Sequence, residues 1–499
     1  MSRNLKYLDL GVVNFDESYP DRLYPSLSEH YGTDDIHFYF PFIEYFSNED
    51  EILDYDTCFN NKNRAIEILD DLEEFDENNI KFRAVIQRGT SEFDTDIVIK
   101  RSPVLNFENI MLLKKQLQKS VEQILEPSQL MVPFNKLVSY DNSTYIDTMV
   151  SYLTGRLVEK NICPHFPLFY GYCLFTEDET TVEITDDLDK LREYSWFTEN
   201  ESEKIYRQYK YRITTRESPE VFTDEEDSES NEESRSDEEV EYSDEQGGGG
   251  GKKSSNSTNS TNSDEEPVLK TYAIVENMPV QLKMMEYCGK DSIDDSVEFT
   301  EKQWESILFQ VMFTLHVAWI YYKLTHNDLH LGNILFQKTN LDYLYYLIDG
   351  RYYRIPTYGH IVKIIDWNRA TFKLNDTLFS NECFDRDGPC YKQFVFPEKF
   401  YRSNKTLLPT ECSDLALLAA SIIDEDNMPK NSKIYELVRS WCTNEDNICV
   451  PNKYKGFSMY EKCSQCTRSN PQKMFNQSLF SKYQVRKERV PKDVTIYKN

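Results

Sequence analysis

The run Ile307 to Leu324 is almost wholly apolar and leads directly into THNDLHLGNILF, and thirty-three residues past Asn333 a second apolar run, IVKII, delivers Asp366 into the turn DWNRA. This order constrains the fold more than any other feature: a long apolar helix, a polar loop closed by a strand, then a second strand ending in a carboxylate. The helix approaches membrane-span length, but Gln310, His316 and Lys323 interrupt it, so a buried core helix is the expectation.

Each half alone is bland, since Asp328 and Asn333 could cap a turn and Asp366 could end a strand. Together they supply what phosphoryl transfer from ATP requires: oxygen ligands that fix Mg²⁺ on the phosphates and a carboxylate that orients the attacking hydroxyl. On this reading Asp328 orients the hydroxyl, and Asn333 and Asp366 hold the metal.

The chain of 499 residues carries 34 Tyr and 29 Phe, ample apolar surface for a packed core. Its formal net charge of −30 disfavours binding to nucleic acid or an anionic membrane. Residues 217–246 hold 15 acidic side chains and one Arg, so nearly half of the imbalance sits in one stretch. The eleven cysteines lack the dense spacing of a secreted scaffold and no signal peptide precedes them, which points to a reducing compartment.

Several elements are legible along the chain. Arg64 to Phe75 has helical periodicity; FRAVIQRG and DTDIVIK read as two strands around a turn at Gly89; residues 108–126 and Tyr145–Glu159 read as helices, and LFYGYCLF as a strand. Residues 218–267, with five consecutive glycines and SSNSTNSTNS, are too polar to order and are expected to be a disordered insert. Pro279 to Tyr287 should be a strand, Thr300 to Leu324 the long helix and Ser413 to Asp424 another. CSQC at Cys463 to Cys466, with Cys442 and Cys449 upstream, has partial zinc spacing, though free thiols suit the irregular intervals better. His165 and His360, beside Pro or Gly and aromatics, read as structural. Ser228, Ser230, Ser236 and Ser243 lie among carboxylates and read as solvated spacer.

NICPHFPLFYGY, HNDLHLGNILF, YLYYLIDGRYYRIPTYGHIVKIIDWNRA and CSDLALLA make the chain resemble the protein kinase superfamily, and more narrowly the serine/threonine protein kinase-like proteins of nucleocytoplasmic large DNA viruses, over roughly residues 82–425. The resemblance implies an α+β, two-lobed fold: an extension over residues 1–78, a small β-rich lobe over 79–288 that contains the insert, and a larger helical lobe with a C-terminal extension over 289–499. It implies ATP and Mg²⁺ as cofactors, Lys100 as the phosphate-binding lysine, Gly89 as the remnant of a phosphate-covering loop, Met285 as gatekeeper, and Glu286 to Cys288 as the backbone that meets adenine. It also makes Asp414 a brace for the catalytic loop, with His326 as a structural partner and His330 beside Asp328 in the catalytic set.

The departures from the pattern are specific. Only Gly89 survives of the glycine-rich loop; Asn327 stands where an Arg is usual, His330 where a Lys is usual, and the DFG-like triplet is Asp366-Trp367-Asn368. Asp147 and Glu159 are the acids offered to Lys100, and neither is singled out. The leading expectation is a serine/threonine-type protein kinase acting on a protein substrate, which could be basic. HNDLH and IIDWNRA also suit a small-molecule hydroxyl kinase of the aminoglycoside or choline type, and the poor glycine loop suits a pseudokinase scaffold. Host cytoplasm is the implied location, with the virion left open.

Overall fold

In the computed structural model, the described residues are 20–42, 61–112, 135–185, 188–194, 207–213, 220–222, 268–293, 299–394, 408–424 and 428–499, apart from a few isolated positions within them. The chain divides into two compact units: residues 1–105, 131–176 and 279–499 form the first, and residues 106–130 and 177–278 the second. Every residue of the candidate site belongs to the first unit.

The sheet of that unit grows from a hairpin. Strands β2 (Asn79–Arg88) and β3 (Ser91–Pro103) pair from Arg88↔Ser91 to Asn79↔Lys100, turning through Gly89 and Thr90. Gly89 has φ 61°, which a two-residue hairpin turn demands and which costs glycine least. On its other edge β3 pairs with the last residues of β7 (Val268–Glu286), which also pairs with β4 (Phe169–Glu183), the strand expected at LFYGYCLF; Lys100 lies opposite Lys283 and Val98 opposite Met285.

The segment expected to be a helix at Arg64 to Phe75 is instead strand β1 (Asn63–Asp76), paired antiparallel with β2. Four register shifts along it break the two-residue alternation, so the apolar spacing imitates a helix although Leu69 and Leu72, which would line that helix's face, are exposed. Preceding it, α1 spans Pro20–Tyr31 and buries Leu23 and Leu27.

Helix α2 (Ser143–Glu159) is capped by Asn142, whose side chain accepts from the Thr144 N–H, and is buried from Thr144 to Leu157. Helix α3 (Glu301–Tyr322) opens with a reciprocal capping box between Thr300 and Gln303 and closes at Lys323 in the left-handed region. It is buried around nearly its whole circumference, as an all-round apolar helix in a core must be. Among the described residues no helix is long and apolar enough to cross a membrane. Beyond it, β8 (Ile334–Lys338) pairs antiparallel with β11 (His360–Ile364), and β9 (Tyr343–Ile348) with β10 (Arg351–Pro356). Helix α4 covers Ser413–Asp424.

In the second unit, β5 (Arg207–Ile213) pairs with the Val268–Ile274 stretch of β7 and with β6 (Glu220–Phe222). That last strand lies inside the segment expected to be disordered; the rest of 218–267 lies outside the described residues. The helix expected over 108–126 is helical across residues 107–112, and most of its remainder also lies outside the described residues.

Candidate active site

One buried carboxylate anchors the start of the loop between α3 and β8. Buried Asp414, in the first turn of α4, accepts the N–H of His326 and of Asn327, each at 2.8 Å. Burial raises its pKa, while the two donated N–H groups act against that rise. Asn327 can accept this geometry at φ 66° because its amide nitrogen donates to the Arg369 carbonyl at 2.9 Å.

The same loop clamps the approach to Asp366. Ile365 donates its N–H to the Asn333 carbonyl at 3.1 Å, and its own carbonyl meets His326 Nε2 at 2.8 Å. Trp367, buried to 2% exposure, packs on His326 and on Phe166 and donates its N–H to Asp147 Oδ1 at 3.0 Å. With its two neighbours fixed, Asp366 is held at φ 66° and its side chain stays 31% exposed.

Four charged groups meet there. Lys100 Nζ lies 2.5 Å from Asp366 Oδ1 and 3.2 Å from Asp147 Oδ2, and Lys283 Nζ lies 2.5 Å from that same Asp147 oxygen. Burial works against charging Lys100, but Asp147 and Asp366 raise its pKa overall. Burial likewise opposes ionising Asp147 and Asp366, and the two lysines hold Asp147 well below the usual carboxylate range while Lys100 lowers Asp366. Lys283 is pushed down to about 8, mainly by burial, with the Lys100 charge adding to the fall and Asp147 opposing it.

Asp147 is thus the acid that faces Lys100, a choice the sequence left open between two candidates. Glu159 lies elsewhere, accepting from the Lys62 and Asn63 N–H groups and from Arg156. Lys283 was missed by the sequence reading, although a lysine inside the apolar strand VQLKMME was a usable sign of a buried ion pair.

Asn333 donates its amide nitrogen to the Asp328 carbonyl at 2.9 Å and lies 3.1 Å from His330 Nε2. The first contact fixes which end of the amide is nitrogen, so the oxygen end is left without a partner among the described residues. Asp328 Oδ1 accepts from Arg369 at 2.9 Å. His330 is exposed and does not bond the Asp328 carboxylate. Gly332 lies so close to the His330 ring that a Cβ there would meet it at 3.1 Å.

The expected adenine segment is built differently from the charge cluster. Glu286, at the end of β7, has its N–H bonded to the Leu168 carbonyl, while its carboxylate receives Lys363, Gln337 and the Leu168 N–H at 3.1, 2.9 and 3.1 Å. Those donors, Lys363 foremost, hold its carboxyl below the ordinary range against the effect of burial. The Glu286 N–H is therefore committed to the fold, and its carbonyl meets the weak Cys288 thiol donor at 3.4 Å. Cys288 is buried, Met285 half-buried, and Gly89 lies exposed at the hairpin tip.

Part of this chain is similar to serine/threonine protein kinases. It is 30% identical over 149 residues to a probable serine/threonine-protein kinase of Dictyostelium discoideum, and 46% identical over 63 residues to the mouse serine/threonine-protein kinase haspin. A protein of Acanthamoeba polyphaga mimivirus is 26% identical over 107 residues. These alignments cover 28%, 13% and 20% of this chain and only 12%, 8% and 14% of the relatives. No protein-family model matches.

The Cys442 and Cys449 sulfurs are 4.0 Å apart, Cys463 and Cys466 are buried thiols, and among the described residues no group of three or more His, Cys, Asp or Glu is arranged to hold a metal. His165 is buried between the Val362 carbonyl and the Tyr346 hydroxyl, the structural role its sequence context suggested.

Proposed function

We propose that this protein is an ATP-dependent phosphotransferase of the serine/threonine protein-kinase type. The observation that carries the reading is the Lys100–Asp366 contact, which joins residues 266 positions apart beside the clamped loop that bears Asp328 and Asn333. The same reading assigns residues 79–288 to a small β-rich lobe and residues 289–499 to a helical one, with the N-terminal 78 residues as an extension.

The donor set fits a hard cation. Asn333 gives its nitrogen to the Asp328 carbonyl while its oxygen has no partner among the described residues, and Asp366 keeps a partly exposed carboxylate paired with Lys100. Asn333 and Asp366 would hold Mg²⁺, which when bound neutralises phosphate charge on ATP. Lys100 exchanges Asp366 for phosphate oxygens while Asp147, still paired with Lys283, keeps the lysine stem in place. Asp328 receives the acceptor hydroxyl and draws on its proton as the hydroxyl attacks. Met285 and the Glu286 carbonyl border the adenine position, and Cys288 follows them. Asp414 and His326 keep the loop rigid, and His330 steadies Asn333.

A protein hydroxyl is the acceptor this reading favours, because the similar kinases of known class carry that description. The test is transfer of labelled phosphate from Mg-ATP into a generic basic protein, with Asp328→Asn as control. Labelled protein with wild type and none with the variant supports the proposal; ATP turnover that appears only when a small hydroxyl metabolite is added moves the assignment to a small-molecule kinase.

A further inference from the structure

The carboxylate of Asp328 is bonded to a cation from the Asp366 turn. Arg369, three residues past Asp366 on the same turn, donates to Asp328 Oδ1 at 2.9 Å, and its carbonyl is held by the Asn327 amide. Among the described residues no other cationic side chain bonds the Asp328 carboxylate, and its second oxygen has no partner. His330 stands two places after Asp328 but meets Asn333 instead. The guanidinium is itself about one-third exposed, against 15% for the Asp328 side chain.

We propose that Arg369 is a positioning residue for phosphoryl transfer: it fixes one oxygen of Asp328 so that the other faces the acceptor hydroxyl, and it offsets the repulsion between that carboxylate and the phosphates of ATP. The inference rests on the phosphotransferase reading. A carboxylate next to a polyphosphate would otherwise be pushed away from the transferred group, since like charges at close range in a partly dry site repel strongly. A guanidinium suits the task because it stays protonated and its planar fork binds a carboxylate oxygen in fixed geometry. Holding it on the Asp366 turn means that seating the metal-binding carboxylate and orienting Asp328 are one structural event.

The experiment is steady-state kinetics on the full chain for wild type, Arg369→Ala, Arg369→Lys, Asp328→Asn and the double variant Arg369→Ala/His330→Lys, with thermal unfolding of each. Arg369→Ala should lower kcat at least tenfold while KM for ATP moves less than threefold. Arg369→Lys should regain part of the loss, and so should the double variant, whose new cation lies two residues from Asp328. A purely structural arginine would not be rescued from a different position. If Arg369→Ala fails to fold, Arg369→Lys and a charge-neutral Arg369→Gln carry the same comparison. Unchanged kcat, or a kcat that rises because the arginine was blocking Asp328, overturns the inference while leaving the phosphotransferase reading intact. Wild type that shows no Asp328-dependent transfer overturns both.

Discussion

Two buried lysine–carboxylate pairs lie close to the site, and they are built for opposite ends. In the pair Lys363–Glu286, every strong group is saturated: the carboxylate takes Gln337 and the Leu168 N–H as well, and Lys363 also donates to the Phe166 carbonyl. In the pair Lys100–Asp366, the carboxylate is partly exposed and its lysine already touches a second acid, Asp147, which has a lysine of its own. The first pair is a fastening between β7 and β11. The second can come apart without stranding a buried charge, because Lys100 still has Asp147 beside it and the Asp366 carboxylate is partly open to solvent. Saturation separates a structural ion pair from a working one.

The comparison predicts a division of effects between activity and stability. Asp366→Asn should lower kcat/KM for phosphotransfer by about a thousandfold, roughly 4 kcal/mol of transition-state stabilisation, with little change in the urea midpoint; equal losses in both would erase the distinction. Lys363→Met should do the reverse. Removing one partner of a buried pair costs about 3 to 5 kcal/mol, and the low end applies because Glu286 retains two other donors; a denaturant titration reads it directly. Lys100→Ala should reduce kcat/KM at least tenfold, about 1.4 kcal/mol, since the alanine leaves Asp147 still paired with Lys283. Kinetics indistinguishable from wild type would separate the β3 lysine from the site.

The smallest effect concerns pH. Asp147 and Asp366 have folded-state pKa values below their unfolded ones, so their contribution to stability is complete above about pH 4 and is lost as the pH falls through the folded values. Wild type should therefore lose more stability than Asp366→Asn between pH 5 and pH 3, as measured by chemical unfolding. Parallel curves would show that the working pair contributes nothing to the fold.

The placing of the candidate residues was legible in the chain where the parts are local: Asp328 and Asn333 share one loop, and IVKII leads to Asp366 by simple strand continuity. Helices α3 and α4 were legible for the same reason, one from an unbroken apolar run and the other from SDLALLAASIID. What escaped depends on contacts across long sequence separations. Asp147 is one of two acids on its helix until Lys100 and Lys283 are seen on neighbouring strands, paired in register. Lys363 and Arg369 sit within quoted motifs, yet their partners Glu286 and Asp328 lie 77 and 41 residues away. Strand β1 was misread because register shifts remove the alternation that marks a strand, and only pairing with β2 reveals it.

Trp367 weights the turn that carries Asp366. Its indole fills the space between His326 and Phe166, and withdrawing a side chain of that size leaves a void costing on the order of 3 to 5 kcal/mol. On the phosphotransferase proposal, a turn weighted in this way has no cheap inactive posture to swing into, and control would have to act by a route other than moving Asp366 away.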